Sequence, residues 1–194
     1  MTNSTQSTNT ADTLAQWLNE ETTTLARLQA GPGPGVARPE QIAGLTGLQQ
    51  MQAMLNGDIP HAAIASTLDF LIIGVAEGES TFQGTPGPQH FNPMGTVHGG
   101  WFATLLDSAL GCAVHTQMPA GRGYTTAELS VNIVKALTPQ VPRVRAIGRV
   151  IHCGRQLATA EARLVGPDGT LYAHATTTCL VFELKRPPTP GATT

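Results

Sequence analysis

The stretch from Asn92 to Asp107 reads NPMGTVHGGWFATLLD, and it holds the residue types best suited to chemistry in this 194-residue chain. Gly100 to Val114, GWFATLLDSALGCAV, is apolar on nearly every side of a helix, yet Asp107 sits in its middle. No other Asp or Glu occurs between Glu79 and Glu128, and no Lys or Arg between Arg38 and Arg122. A carboxylate in apolar surroundings has its charged form disfavoured and needs polar partners or a task. Ionised beside a bound carbonyl, it attacks that carbonyl or deprotonates a water that does. Just upstream stand His98, Gly99 and Gly100. The free N–H groups of a helix's first turn hold a developing oxyanion, and paired glycines let a ligand approach the backbone closely. Donor and base together describe acyl transfer or hydrolysis. Plainer readings exist: a lone helical Asp bonds a backbone group or a distant Arg, and a buried His98 imidazole holds its loop. Spacing leaves both open. Gly95-Thr96 is the expected helix cap.

The elements that must position these residues follow from periodicity. Residues 1 to about 12 are polar and read as disordered. Thr13 to Leu28 has helical spacing at Leu14, Trp17, Leu18, Leu25 and Leu28, interrupted by three threonines. GPGPG at 31–35 breaks it. Arg38 to Leu55 reads as one further helix with Pro39 early, where proline is tolerated. LDFLIIGVAEGESTF reads as strand, turn, strand, with Gly74 and Gly78 as interruptions. After the apolar helix come Tyr124 to Lys135, Arg143 to His152, Gln156 to Val165 and Thr170 to Leu184, all strand-like, with CGRQ and GPDG as turns. Arg143, Arg145 and Arg149 alternate with apolar residues, which reads as a solvated basic strand face. Two strands, one buried helix and four strands make an α+β layer arrangement in which the sheet wraps the helix. The sheet's other surface needs cover from the N-terminal helices or from another subunit.

Composition narrows the classes. Hydrophobic content is 41% and charged content 12%, enough for a core and poor in solvating charge, as in chains that bury surface in an oligomer. Net charge is -2, so nothing draws the whole molecule to nucleic acid or to an anionic membrane. Nine of the eleven Lys and Arg lie at or after Arg122. Cys112, Cys153 and Cys179 have no C-x-x-C spacing and read as buried thiols of a reducing compartment. MTNSTQSTNT lacks a signal-peptide pattern and no apolar run reaches membrane-span length, so the expected setting is soluble and cytoplasmic. The six histidines form no H-x-x-x-H, so no metal is expected; G-x-S-x-G and G-x-G-x-x-G are absent, and no cofactor is implied.

The ordered motif N-P-M-G-T-V-H-G-G-W-x-A-T-L-L-D-S-A resembles the signature of hotdog-fold acyl-CoA thioesterases of the phenylacetate-pathway (PaaI-like) type. The likeness continues through TTAELSVNIVKAL and GRVIHCGRQLATAEARLVGPDGTLYAHATTTCLVF, over roughly residues 65–184. With the residue pattern outside it, the expected organisation is an N-terminal extension over 1–60, partly disordered with one or two helices, a hotdog domain over 61–186 and a flexible tail over 187–194. The resemblance also implies a homodimer with active sites at its interface, pairing into a tetramer, and an acyl-CoA substrate. By the same resemblance Asp107 attacks the thioester or activates water, Asn92 orients water or substrate, Gly99 polarises the carbonyl with Gly100 adjacent, and His98 orients the loop. Thr126, or Thr125 beside it, assists water from the other subunit. Arg155 in the His-Cys-Gly-Arg turn, and Lys135 less directly, meet the phosphates of coenzyme A. Trp101 and Phe102 pack in the core or line an aromatic pocket, and the N-terminal extension closes over the site. Rival readings are a hotdog hydratase or dehydratase, which places its acid differently, and a non-catalytic acyl-CoA-binding module, which has no use for Asn92, Gly99, Asp107 and a strand hydroxyl together.

Overall fold

The structure, a computed structural model, describes residues 10–138 and 140–184. The expected disordered leader and the 187–194 tail lie outside these residues, except that Thr10 to Asp12 already belong to the first helix. Helix α1 spans Thr10–Ala30 and buries Trp17, Thr24 and Leu28. Its threonines do not break it: the hydroxyls of Thr22 and Thr23 donate to the carbonyls of Leu18 and Asn19 four residues back, satisfying themselves within the helix. The single helix expected over Arg38–Leu55 is two, α2 (Pro39–Ile42) and α3 (Gly47–Asn56). Gly44 turns left-handed at φ 75°, and Thr46 then caps α3 reciprocally: Gln49 N–H donates to Thr46 Oγ1 at 3.3 Å, and Thr46 N–H to Gln49 Oε1 at 2.9 Å. That T-x-x-Q capping box was present in the sequence as a helix start. The short α4 (Ala63–Thr67) leads into the sheet.

Strands β1 (Phe70–Ala76) and β2 (Glu79–Gly84) precede helix α5 (Gly99–Thr116), and β3 (Arg122–Ile133), β4 (Val144–Cys153), β5 (Leu157–Val165) and β6 (Leu171–Glu183) follow it. All pair antiparallel in the order β1-β2-β4-β5-β6-β3. The α+β expectation and the count of two strands, helix, four strands hold. Helix α5 lies across the sheet, with Leu105, Leu106, Ala109, Leu110, Ala113 and Val114 wholly buried. The facing strand positions are small: Ala146, Gly148, Ala158, Ala160 and Ala162. A Cβ on Gly148 would lie 2.3 Å from the Ala109 carbonyl oxygen, so only glycine lets the helix sit this close. Ser80 Oγ donates to that same carbonyl at 2.6 Å. Each fully buried leucine contributes about 1.5–3 kcal/mol, so this seam supplies much of the folding free energy. Trp101 and Phe102 belong to it as core residues. Among the described residues no helix is long and apolar enough to cross a membrane.

The outward face of β4 corrects the sequence reading. Arg143 and Arg145 are not a solvated row: α1 lies over them. Glu21 takes Arg143 through Nε at 2.6 Å and Nη2 at 3.0 Å, and Glu20 takes Arg145 at 2.6 Å. The Arg145 guanidinium also stacks over the Trp17 ring, 4.4 Å from its centroid. Gln83, wholly buried, joins the halves by accepting from Arg145 Nε at 2.8 Å and donating to Glu21 at 2.6 Å. Only Arg149 matches the solvated reading, exposed and paired loosely with Glu79.

Candidate active site

Helix α5 begins at Gly99 and is capped by His98 rather than by Gly95-Thr96. The His98 ring is exposed, not buried, and its Nδ1 accepts from Gly100 N–H at 2.9 Å. An accepting Nδ1 in the neutral ring puts the proton on Nε2. The Gly100 donor is thereby used, whereas among the described residues nothing accepts from Gly99 N–H. Of the two expected carbonyl donors, Gly99 is the one left open. Asn92 builds the preceding loop. Its Oδ1 accepts from the N–H groups of Met94 and Thr96, and its Nδ2 donates to Thr96 Oγ1 at 2.9 Å. One amide hydrogen remains for a ligand. Asn92, Gly99 and Lys135 share a shallow pocket of about 280 Å³, and the Lys135 ammonium lies 5.7 Å from the Tyr172 ring centroid.

Asp107 lies eight residues beyond Gly99, about 12 Å along the helix axis, and faces a different space. Thr126 Oγ1 donates to Asp107 Oδ1 at 3.1 Å within the same chain. Strand β3 is bulged between Thr126 and Glu128, the kind of irregularity that re-aims a side chain. Thr125 points to the opposite face, across from Leu180, and does not reach the carboxylate. Asp107 and Thr126 lie at a cleft of about 640 Å³ whose walls come from α1, α4, β1 and α5. Arg155 is exposed in the β4–β5 turn, outside both spaces, and its carbonyl accepts from the Arg122 guanidinium.

A six-stranded antiparallel sheet wrapped on one long helix, with HGG at the helix start and a carboxylate two turns on, is the frame for comparison with known proteins. Residues 94–173 match the thioesterase superfamily. The segment carries α5, β3, β4 and β5, and with them His98, Gly99, Asp107 and Thr126. A candidate thioesterase related to phenylacetic acid degradation, from Ralstonia eutropha JMP134, is 27% identical with a TM-score of 0.61, over 66% of this chain and 97% of that one. A mutant of the phenylacetic acid degradation protein PaaI from Thermus thermophilus is 26% identical with a TM-score of 0.54, over 60% and 96%. PaaI of E. coli shares the fold at 20% identity and a TM-score of 0.61, over 72% and 96%. A candidate esterase of Halobacterium salinarum is 35% identical over 82 residues, 42% of this chain and 54% of that protein, so the chain spans about half the length of that curated relative. The fold is the hotdog fold, as the motif resemblance implied.

The thiols and the phenol around Asp107 stay protonated at neutral pH. The Cys112 thiol is pushed up to about 12 by desolvation and then by the Asp107 charge. Burial, with the same charge as a lesser cause, raises the Tyr124 phenol well above its ordinary value. Cys179, paired with Thr126 across the sheet, is also raised by burial. No thiolate or phenolate competes with the Asp107 carboxylate. Tyr124 and Cys112 line the cleft; from sequence Cys112 reads only as a buried thiol and Tyr124 only as the start of a strand. Tyr124 fits because residue 111 is glycine: a Cβ there would lie 2.7 Å from its hydroxyl. Nothing in the linear pattern marks that pair.

Proposed function

We propose that the protein hydrolyses an acyl-CoA thioester to a free carboxylic acid and CoA, at a site completed by two copies of the chain. The observation that carries this reading is the Asp107 carboxylate, oriented by Thr126 at an apolar cleft beside a neutral Cys112 thiol and a neutral Tyr124 phenol. Asp107 takes a proton from water as the water oxygen bonds the thioester carbon, or its carboxylate bonds that carbon directly. The carbonyl electrons move to oxygen, and the N–H of Gly99 holds the resulting oxyanion. When the electrons return, the carbon–sulfur bond breaks. On the water route the proton held by Asp107 passes to the departing sulfur. On the direct route the sulfur takes a proton from solvent, while a water then opens the acyl–Asp107 anhydride to the free acid and the regenerated carboxylate.

Gly99 and Asp107 of one chain are too far apart to serve one carbonyl. A second copy supplying the other half resolves this. The twelve-residue β3 is an edge strand, a template for pairing with another chain. Ile133 and Val134 expose apolar side chains in the lining of the Gly99 pocket, as an interface would use, and Met94 in the preceding loop is exposed as well. The outward Leu157, Leu180 and Phe182 support a further pairing into a tetramer. Lys135, beside Gly99, suits a CoA phosphate better than the distant Arg155. Three free thiols fit a reducing, cytoplasmic setting.

Thiol release from a panel of acyl-CoAs is the test. Asp107→Asn and Asp107→Ala are each expected to lose at least about a hundredfold in kcat with the fold intact. Full activity in a folded Asp107→Ala protein would sink the assignment. Turnover in ¹⁸O water then separates the routes: label found in Asp107 after repeated cycles marks direct attack.

A further inference from the structure

Helix α1 lies outside the thioesterase-superfamily segment, yet it forms one side of the Asp107 cleft. Leu25, Leu28 and Gln29 face the space from α1, and Phe70, Ile72 and Phe82 line it from the sheet. The helix is fixed rather than loose. Its middle is held by the Glu20, Glu21, Gln83, Arg143 and Arg145 network. Its C-terminal end meets the end of α3 backbone to backbone. A Cβ on Gly31 would lie 2.2 Å from the Gly57 carbonyl oxygen, and one on Gly57 2.4 Å from that of Arg27. Within GPGPG itself the chain is tied down again, with Gly35 N–H donating to the His61 carbonyl at 2.8 Å and His61 N–H to that of Gly33 at 3.2 Å. Leu25 remains 38% exposed although the helix is locked, and the surface it exposes borders the cleft. An apolar side chain left open on a fixed wall suits an apolar occupant.

The cleft's charges are equally one-sided. Glu21, Asp69 and Asp107 line it; Arg143 offsets Glu21 from outside the cleft, which leaves Asp69 and Asp107, and among the described residues no Lys or Arg lines the space. An occupant carrying its own carboxylate meets like charge and finds no cation to offset it. Its volume, about 640 Å³, lies in the range that buries a drug-sized molecule and is far larger than an acetyl group needs.

We infer that α1 is the acyl-recognition wall of this cleft, and that it selects uncharged apolar acyl groups of several carbons over acetyl and over ω-carboxylated ones. The inference rests on the thioesterase reading of Asp107, and the experiment separates the two. With the full chain, kcat/KM is measured for octanoyl-, acetyl- and glutaryl-CoA. The wild type is expected to favour octanoyl at least tenfold over the other two. Leu25→Trp, which fills the wall, lowers the octanoyl-to-acetyl ratio at least tenfold. Leu25→Lys, which adds the missing cation, raises the glutaryl-to-octanoyl ratio at least tenfold. Partial exposure of Leu25 makes both variants compatible with folding. In parallel, octanamide, an uncharged probe that needs no chemistry, is titrated by calorimetry into wild type and Leu25→Lys, with Kd expected to rise at least tenfold in the variant. If thioesters turn over but both ratios stay within twofold, the wall assignment falls and the thioesterase reading stands. If no thioester turns over while octanamide binding depends on Leu25, the thioesterase reading falls and the wall stands. Octanamide that binds both proteins equally, or neither, overturns the wall.

Discussion

The two ends of the candidate site on α5 are built in opposite ways. From Asn92 to Gly100 the chain largely satisfies itself: Asn92 closes its own loop, His98 caps its own helix, and among the described residues Gly99 N–H and one Asn92 amide hydrogen are left over. Two turns on, Asp107 draws its partner from 19 residues away, and its cleft is walled by a helix more than seventy residues earlier. The first half is a backbone donor preset by local turns. The second is a side-chain site whose geometry depends on how α1, β1 and β3 pack. Damage to the first half should therefore show in activity alone. Damage to the second should show in activity, stability or both.

The largest effect that can break this contrast comes from Gly99→Pro. Gly99 is the first residue of α5, where proline suits the helix, and His98 already has the extended backbone that precedes proline. The substitution removes one open N–H at little structural cost, so kcat is expected to fall about 10²–10³-fold with Tm nearly unchanged. Co-expressing Gly99→Pro with Asp107→Asn sharpens the point. If two copies share each site, mixed dimers regain one intact site, and thiol release should recover to about a quarter of wild type. No recovery in confirmed mixed dimers would place both halves in one chain. Next in size is Thr126→Val, which keeps the shape and loses one hydrogen bond to a carboxylate. About a tenfold or greater fall in kcat is expected by steady-state thiol release.

The walls of the cleft come next, read as stability. Arg145→Met strands the Gln83 and Glu20 acceptors and should cost about 1–3 kcal/mol in urea unfolding. Arg149→Met, with its side chain 62% exposed, should cost about 0.5 kcal/mol or less. Equal costs would refute the distinction between the covered and solvated ends of β4. The smallest effect is in pH. Burial lowers the His115 and His90 values, the latter partly opposed by Asp69, so the neutral rings are the native form. Their contribution is complete above the ordinary histidine value near 6.5 and is lost as pH falls below it. Tm should drop by a few degrees between about pH 7 and 5, and His115→Gln should flatten that drop.

The apolar α5 and the strands after it were legible because period and turn residues agree along each stretch: GPDG, for example, could only be a turn between two runs. The single helix expected over Arg38–Leu55 failed because the apolar stripe continues across the break while Gly44 and the Thr46–Gln49 box interrupt the backbone. The reading of Arg143 and Arg145 failed for a different reason. Alternation reports that two faces differ, and it does not report what covers each. Thr126 was distinguished from Thr125 by resemblance, but its aim at Asp107 depends on a bulge that no local pattern announces.

The sequence by itself determined the long helix, the order of strands along the chain, the glycine turn at the helix start and the isolation of Asp107 from other charges, because each follows from neighbours a few residues apart; that His98 caps the turn emerged only from the structure. Only the tertiary structure decided that Asp107 and Gly99 face separate spaces, that Glu20 and Glu21 clasp the far side of the sheet, and that α1 walls the cleft. Those depend on contacts between residues up to 125 positions apart. Their specificity lies in packing and register, which the linear pattern does not encode.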